Sequence, residues 1–589
     1  LARVLADIWW FIRRYTLRYK WWYLAGIAAL LVTNLITVAI PYFLQKALES
    51  VDPVTGDGQI ERWIAWMMGL ALGLVVVRTA SRILVFYPGR ESETVFRTDY
   101  FRRLLSYQAP FFREVTTGDL MSRGTNDIQY VRALAGYAAL QVFNVALALP
   151  LNLWMMVRIS GSLTLGCIIP LALAGLVMRK GVLAMLSHVR VMQEELSALS
   201  GEVLESYHGV RVIQDYGAQE VVLGRFDLRN DRYVSHQCKI VFIRAFLLPV
   251  VFVVGNLGIL ILLYWGGKQV ATGELHFGAV SAFAVYVANI VAALVSLGWV
   301  LSVIQRGAVS LRRVLSIFEH SLPTTEGCTS LPEGGLDLAV SHLHFQYPGS
   351  DREAVLTDVS FTLPAGQTLG IYGPTGSGKT TLLRLLTRLE VPPPNTIRWG
   401  GVDVCNVTLD DLRERMAMVP QIAYLFSQTL RQNIGFGSPK SAIDGERVKE
   451  VIGQACLDQE VALFDDGLDT VVGERGVILS GGQRQRATLA RALYRRAPIL
   501  ILDDTLAAVD HDTESRLIQT MLNDRNERTT LIVSHRVSVL SRADHILVLD
   551  GGRIVQQGTH RELMEEGGLY TQAWQAHWTD SEHVGGDDG

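Results

Sequence analysis

Apolar residues are spread unevenly along this chain. Long apolar runs fill roughly the first 310 residues, and after about residue 320 charge and turn residues return at soluble-domain density. Six stretches, near 22–44, 62–86, 134–157, 160–178, 242–266 and 276–304, are apolar over the roughly 20 residues that a helix needs to cross a hydrocarbon core. The pieces between them are unequal. Those near 45–61, 158–160 and 267–275 are short, whereas those near 87–133 and 179–241 are long, polar and helical in pattern. Ahead of the first stretch, Leu1, Val4, Leu5, Ile8, Ile12 and Tyr15 fall at helical spacing. That spacing predicts an amphipathic helix over 1–21 lying in the membrane interface, anchored by Trp9 and Trp10. Asp7, Arg13, Arg14, Arg18 and Lys20 interrupt it and no small-residue cleavage site follows, so it does not read as a signal peptide.

Charge gives the spans a direction. The first long connection carries Arg90, Arg97, Arg102, Arg103, Arg113, Arg123 and Arg132, while the short loop 45–61 carries Glu49, Asp52, Asp57 and Glu61. The positive-inside rule then puts both termini, both long connections and everything after the last span on the cytoplasmic side of a multi-pass inner-membrane protein. Within the spans, Arg78 and Arg82 sit one turn apart near a cytoplasmic end, and the sequence leaves open whether they snorkel, line a wet cavity or touch cargo. Asn34, Asn144, Asn152, Asn256 and Asn289 are isolated polar groups that bond neighbouring helices in such settings. No Asp or Glu lies deep in a span, which disfavours a proton- or sodium-coupled carrier and suits a hydrophobic or amphiphilic cargo. A net charge of −3 argues against nucleic acid as a partner, leaving membrane lipid and apolar cargo. The five cysteines have no C-x-x-C spacing, so neither a disulfide framework nor a zinc site is indicated.

The predicted fold class is an all-α polytopic membrane domain of six helices with long cytoplasmic extensions (22–317), then an α/β P-loop domain (336–578). A Pro/Thr/Gly-bearing linker (318–335) joins them, and an acidic tail (579–589) reads as disordered. The chemistry centres on 371–381. Gly373, Gly378, Lys379 and Thr380 fit G-x-x-x-x-G-K-[ST], with a buried strand before and an amphipathic helix after. Glycines let backbone N–H groups wrap a polyphosphate at a helix N-terminus. The loop Gly373, Pro374, Thr375, Gly376, Ser377, Gly378, Lys379, Thr380 and Thr381 is therefore an ATP cradle, Lys379 reaching the β/γ-phosphates and Thr380 a Mg²⁺ ion. Ile499–Asp504 is a buried strand ending in two carboxylates, of which Asp503 would hold Mg²⁺. Ser480, Gly481, Gly482 and Gln483 open a second helix built for phosphate. One site needs only one such cradle, so two imply ATP held between two domains. Gln421 and His535 add neutral polar groups after strands, and Tyr347 offers a ring to stack on adenine.

With these motifs in this order, the chain resembles the ATP-binding cassette (ABC) exporters. Leu479–Gln483 matches the ABC signature, Thr470–Gly476 looks like the exporter cross-talk loop, and Ala507–Asp510 like the D-loop. Thr117–Arg123 and Gly209–Ile213 match the places of the two intracellular coupling helices. The resemblance implies a catalytic set of Asp504, His535 and Gln421 and a metal set of Thr380, Gln421 and Asp503. It also implies a dimer with head-to-tail ATP sandwiches, and alternating access driven by ATP hydrolysis, moving drugs, lipids or peptides. One departure matters: where efficient members carry Glu after the Walker B Asp, this chain has Asp504, one methylene shorter. A misplacement of about 1 Å can cost about a hundredfold in rate. That pattern resembles one half of a heterodimeric bacterial exporter, with a slow site of its own and an intact signature for a partner half-transporter chain. The alternatives are a homodimer with Asp504 as working base, a membrane-anchored regulatory ATPase, and a secondary carrier with a nucleotide sensor.

Overall fold

The computed structural model describes residues 2–51, 58–320, 327–348, 354–438, 442–473, 476, 478–505, 511–523 and 528–584. These fall into two compact units, one of residues 1–106 and 115–320, the other of 107–114 and 321–589.

The first unit is entirely helical. A short amphipathic helix α1 (Ala2–Phe11) leads through a wide π-helical turn (Ile12–Thr16) and a tight 3₁₀ turn (Leu17–Tyr19) into α2 (Lys20–Glu49), then α3 (Ile60–Leu105). Among the described residues six helices are long and apolar enough to cross a membrane. The third span ends in α6 (Ala139–Ile159), and α7 (Gly161–His208), α9 (Gln219–Ile261) and α10 (Phe277–Glu319) complete the set. The long connections are thus continuations of the spanning helices. Asparagines tie the helices together inside: Asn34 Nδ2 donates to Asn144 Oδ1 at 3.1 Å, and Asn289 Nδ2 to Asn152 Oδ1 at 3.1 Å. Each pair joins two helices where water is absent and an unmet amide would cost free energy. Arg78 and Arg82 are both exposed on this single chain.

Helix α10 runs on to Glu319, so the expected linker begins inside a helix, and 321–326 lie outside the described residues.

The second unit contains two sheets. A four-stranded antiparallel sheet has the order β2 (Leu356–Leu363), β1 (Leu338–Phe345), β4 (Ile397–Trp399), β5 (Val402–Asp403). Strand β1 replaces the two strands expected over Asp337–Val340 and Leu343–Tyr347: its register slips between Val340 and Leu343, where His342 takes φ 46°. That is a bulge, which interrupts the ladder without ending the strand. The other sheet has the order β10 (Arg553–Gly558), β9 (His545–Asp550), β3 (Thr368–Tyr372), β8 (Thr529–Val533), β7 (Ile499–Asp503), β6 (Met416–Val419). Strands β9, β3, β8, β7 and β6 pair in parallel and β10 is antiparallel at one edge. Every residue of β7 and β8 is buried, which explains runs such as Ile-Leu-Ile-Leu: parallel strands covered on both faces have no polar side to alternate with. The last helix, α13 (Leu569–Val584), passes Thr579, where the sequence placed the start of a disordered tail; 585–589 lie outside the described residues.

Candidate active site

The central sheet gathers the motifs by topology. The P-loop follows the carboxyl end of β3, Asp503 ends β7, and Gln421 and His535 lie just beyond β6 and β8. Parallel sheets bind ligands outside these carboxyl ends. One cavity of about 490 Å³ is lined by Gly373, Pro374, Thr375, Gly376, Gly378, Lys379, Thr380 and Thr381 together with Gln421, Asp503, Asp504 and His535.

The cradle needs its glycines. A Cβ on Gly373 would come within 2.2 Å of Leu549 O and 2.6 Å of Ser377 Oγ. Gly378 holds φ +99°, and a Cβ there would meet Leu356 Cδ2 at 2.7 Å. Helix α11 (Lys379–Leu386) starts directly after it, presenting its first N–H groups to the loop. Ser377 is buried behind the loop. Lys379 Nζ donates to Gly373 O at 2.6 Å and Pro374 O at 2.8 Å, so loop carbonyls hold it at the place where phosphate oxygens would compete for it. Burial pushes the Lys379 ammonium below the usual lysine range, opposed by Asp504 and Asp503. The Asp503 carboxyl is raised, first by burial and then by the neighbouring Asp504, with Arg384 and Lys379 opposing. A buried carboxylate pushed upward beside a second carboxylate and the Thr380 hydroxyl is a donor set that fits a hard divalent cation such as Mg²⁺.

Asp504 occupies φ +49°, an uncommon left-handed position that Asp tolerates better than most residues. Its backbone N–H donates to Val533 O at 2.9 Å, tying it to β8. His535 Nδ1 lies 2.8 Å from Asp504 Oδ1, within hydrogen-bond distance. The carbonyl of Gln421 accepts from Gln485 Nε2 at 3.3 Å, and Arg491 donates to Tyr424 O at 2.9 Å, so one helix holds the Gln421 loop at two points.

That helix, α12 (Gly481–Tyr494), starts at the signature. Ser480 caps it in a reciprocal box: Gln483 N–H donates to Ser480 Oγ at 3.2 Å and Ser480 N–H to Gln483 Oε1 at 2.9 Å. Leu479 is buried beneath, whereas Ser480 and Gly481 face outward, and none of Ser480, Gly481, Gly482 and Gln483 lines the P-loop cavity.

Tyr347 is placed differently from Gln421 and His535. It does not line the cavity; its hydroxyl lies 3.1 Å from the Thr381 hydroxyl and Phe345 packs edge-on at 5.1 Å. Over its ring sits Arg113, from the short helix α4 (Ala109–Glu114), whose Nη2 also donates to the buried Glu390 at 2.7 Å. Sequence reasoning missed Arg113 as a site neighbour, since only its place in an Arg-rich connection marked it. Residues 107–114 of that connection belong to the second unit and the expected coupling segment at 117–123 to the first. Helix α5 (Thr117–Ser122) belongs to the helical unit, where Asp119 pairs with Arg123 at 2.6 Å and with Arg313. The second expected segment forms α8 (Val210–Asp215), with no buried residue. Of the cross-talk loop, Glu474 and Arg475 lie outside the described residues, as does the expected D-loop at 507–510.

Residues 23–294 match the family described as ABC transporter transmembrane region, and residues 356–507 the family described as ABC transporter. The chain is 35% identical over 97% of its length, and 97% of the relative's, to the probable multidrug resistance ABC transporter ATP-binding/permease protein YheI of Bacillus subtilis. It is 31% identical to the multidrug resistance-like ATP-binding protein MdlA of Escherichia coli, covering 96% of this chain and 95% of the relative. It is 30% identical to the ATP-dependent lipid A-core flippase of Burkholderia pseudomallei, covering 93% and 92%. Its fold is similar to that of a bacterial Atm1-family ABC exporter with ATP bound, at TM-score 0.80 and 24% identity over 96% of this chain and 99% of that one.

Proposed function

The chain belongs to the ABC transporters, with membrane region and ATPase fused in one polypeptide, and from that premise we propose that it is one half of a heterodimeric exporter of hydrophobic or amphiphilic compounds. ATP hydrolysis coupled to transport comes with the membership. The observation that carries the dimer is the division of the phosphate-binding groups. The P-loop, Asp503, Asp504, Gln421 and His535 share one cavity, while none of Ser480–Gln483 lines it and Ser480 and Gly481 face outward. A second chain brings its own signature to this P-loop and receives this chain's signature on its own. Helix α8 supports the same reading, since Val212 within it and Tyr216 just after it are 60% and 83% exposed on the single chain.

Within each sandwich, Lys379 leaves the Gly373 and Pro374 carbonyls for the phosphates. Thr380, Asp503 and Gln421 would hold Mg²⁺, which neutralises developing charge on the phosphates when bound. Tyr347 would stack the adenine on its remaining face. Asp504 is the residue placed to orient the attacking water, and the absent methylene together with the bond to His535 makes it a slow base. The cargo reading rests on an interior with paired asparagines and no deep carboxylate, and agrees with relatives named for multidrug resistance and lipid A-core flipping. The nucleotide-binding unit and both termini are cytoplasmic on the arginine asymmetry of the loops.

The test is ATP-dependent uptake of a fluorescent hydrophobic cation, and separately of a fluorescent phospholipid, into inside-out vesicles. The vesicles carry the chain alone or with the half-transporter that co-purifies with it. Transport by the pair that survives collapse of ion gradients and disappears in Lys379→Ala supports the proposal. ATPase insensitive to every hydrophobic candidate points instead to a regulatory ATPase, and gradient-dependent uptake to a secondary carrier.

A further inference from the structure

Three helix ends carry the chain between its two units. The chain passes from one to the other after residues 106, 114 and 320. Helix α3 ends at Leu105, α5 starts at Thr117 and α10 ends at Glu319. These ends are the covalent route by which a displacement of the ATPase unit reaches the spans.

The three ends are tied to one another in pairs. From α3, the buried Tyr100 hydroxyl donates to Leu120 O of α5 at 2.9 Å. Arg103 Nη2, also from α3, donates to Phe318 O at 3.1 Å and His320 O at 3.0 Å at the end of α10. Between α5 and α10 the tie is ionic. Arg313 Nη2 donates to Asp119 Oδ1 at 2.5 Å, while Arg313 Nη1 lies 2.9 Å from Asp127 Oδ2 in the π-helical turn after α5. Arg123 closes the ring. Its Nε donates to Asp119 Oδ2 at 2.9 Å, and its Nη1 to Arg313 O at 2.7 Å and Ser316 Oγ at 2.8 Å.

Two guanidinium groups here face two carboxylates, so the charges balance. Asp127 is 4% exposed, and its Oδ1 accepts from Ser310 Oγ at 2.7 Å, so α10 engages both of its oxygens. Drawing α10 away would leave that buried carboxylate uncompensated, which opposes the separation. Burial works to raise the Asp119 carboxyl, but the bonds from Arg123 and Arg313 outweigh it and hold it below the usual carboxylate range. Polar networks satisfied in this way are rigid, and a rigid contiguous network can carry displacement from one element to another.

We propose that α5 and the adjoining ends of α3 and α10 form one rigid collar. Arg313, bonded to both Asp119 and Asp127, is the positioning residue through which displacement of the ATPase unit is passed to the last span. Of the proposed function this uses only that ATP drives transport.

The experiment uses the full chain with its co-purifying half-transporter in proteoliposomes, with the exposed Cys238 and Cys328 replaced by serine. Arg123→Cys together with Ser316→Cys leaves the Asp119–Arg313–Asp127 contacts in place, and a bis-methanethiosulfonate reagent then bridges the two positions. On a rigid collar the bridge forms at the same rate with and without Mg-ATP. ATPase and uptake then stay within about twofold of the unbridged variant. Bridging rates that differ by more than about tenfold between the two states, or a bridge that stops ATPase, overturn the proposal. Asp119→Asn, at a side chain 30% exposed, should lower uptake per ATP hydrolysed roughly fivefold and leave the KM for ATP unchanged. Arg313→Lys should fall between it and wild type, since an ammonium lacks the fork that reaches both carboxylates. Uptake per ATP that neither substitution changes also overturns the proposal. A wild-type pair that moves no probe counts against the export reading instead, and the bridging rates then decide the collar by themselves.

Discussion

The guanidinium of Arg113 covers one face of the Tyr347 ring, 5.0 Å from its centroid. The same group binds Glu390, whose side chain is only 4% exposed, so a residue 277 positions earlier in the chain sets the electrostatics on one face of the Tyr347 ring. Arg113→Ala removes a cation–π contact of about 0.5–1 kcal/mol. It also leaves a buried carboxylate without its partner, although solvent at the half-exposed arginine limits the pair itself to about 1 kcal/mol. We expect a two- to fivefold loss in affinity for a fluorescent ATP analogue. Arg113→Lys should recover only part of it, since lysine cannot lie flat on the ring while bonding Glu390. Unchanged affinity in Arg113→Ala would remove Arg113 from the site.

Lys379→Ala should cost about 1.5–3 kcal/mol of phosphate binding, or roughly 10- to 150-fold in ATP affinity at this chain's site. Photolabelling of the chain by an azido-ATP reads it directly. The wild type should also show a pH dependence. Burial lowers the Lys379 pKa in the free protein and bound phosphates raise it again. Affinity is therefore full below the lowered value, falls as pH rises through it, and binding takes up a proton in that window. Calorimetry in buffers of different ionisation enthalpy measures the uptake. Lys379→Ala should abolish it.

Asp503→Asn separates stability from metal binding. A carboxyl whose folded pKa is raised is destabilising once ionised. The penalty begins as pH rises past the unfolded value and is complete above the folded one. At pH 8 the Asn variant should melt a few degrees higher than wild type, about 1 kcal/mol for a unit of this size, with the gain shrinking toward about pH 4. The same variant should lose the extra stabilisation that Mg²⁺ adds to ATP. A lower melting temperature at pH 8 would show that Asp503 is satisfied without a cation.

The parts of this molecule legible in its sequence are those where one physical rule dominates. Twenty-residue apolar runs mark the spans because hydrocarbon tolerates little else, and Ile499–Leu502 reads as a buried strand because a doubly covered strand has no polar face. Gly373 and Gly378 were legible because their neighbours leave no room for a Cβ. What stayed hidden depends on contacts between distant residues. Nothing local marks Arg113 as the partner of Glu390 and Tyr347, nor sets α4 rather than α5 with the ATPase unit. His342 made one strand look like two because its bulge breaks the alternation on which strand reading rests. The helical start of the expected linker and the helix through Val584 were missed for a different reason. Composition there is polar and turn-rich, whereas the helices are continuations of well-packed ones.

The Ser480 hydroxyl and the Asp504 carboxylate serve different sites on the heterodimer reading, and that separation gives the sharpest prediction. Asp504 acts on ATP held by this chain's own P-loop, while Ser480 completes the P-loop of the partner chain. Asp504→Asn in the purified pair should therefore leave most of the ATPase, because little turnover passes through a base one methylene short and held by His535. Ser480→Arg should abolish it. Two costs then combine: loss of the capping box, worth about 1 kcal/mol of helix stability, and a bulky cation in the place of the γ-phosphate. Ser480→Ala carries the first cost without the second, so an intermediate rate there isolates the steric block. Asp504→Glu runs the other way. It restores the missing length and should raise turnover at this chain's site by up to about a hundredfold, less whatever the left-handed backbone at φ +49° takes from a longer side chain. Strong, cooperative ATPase from this chain alone, lost in Asp504→Asn, would establish a homodimer with Asp504 as an adequate base.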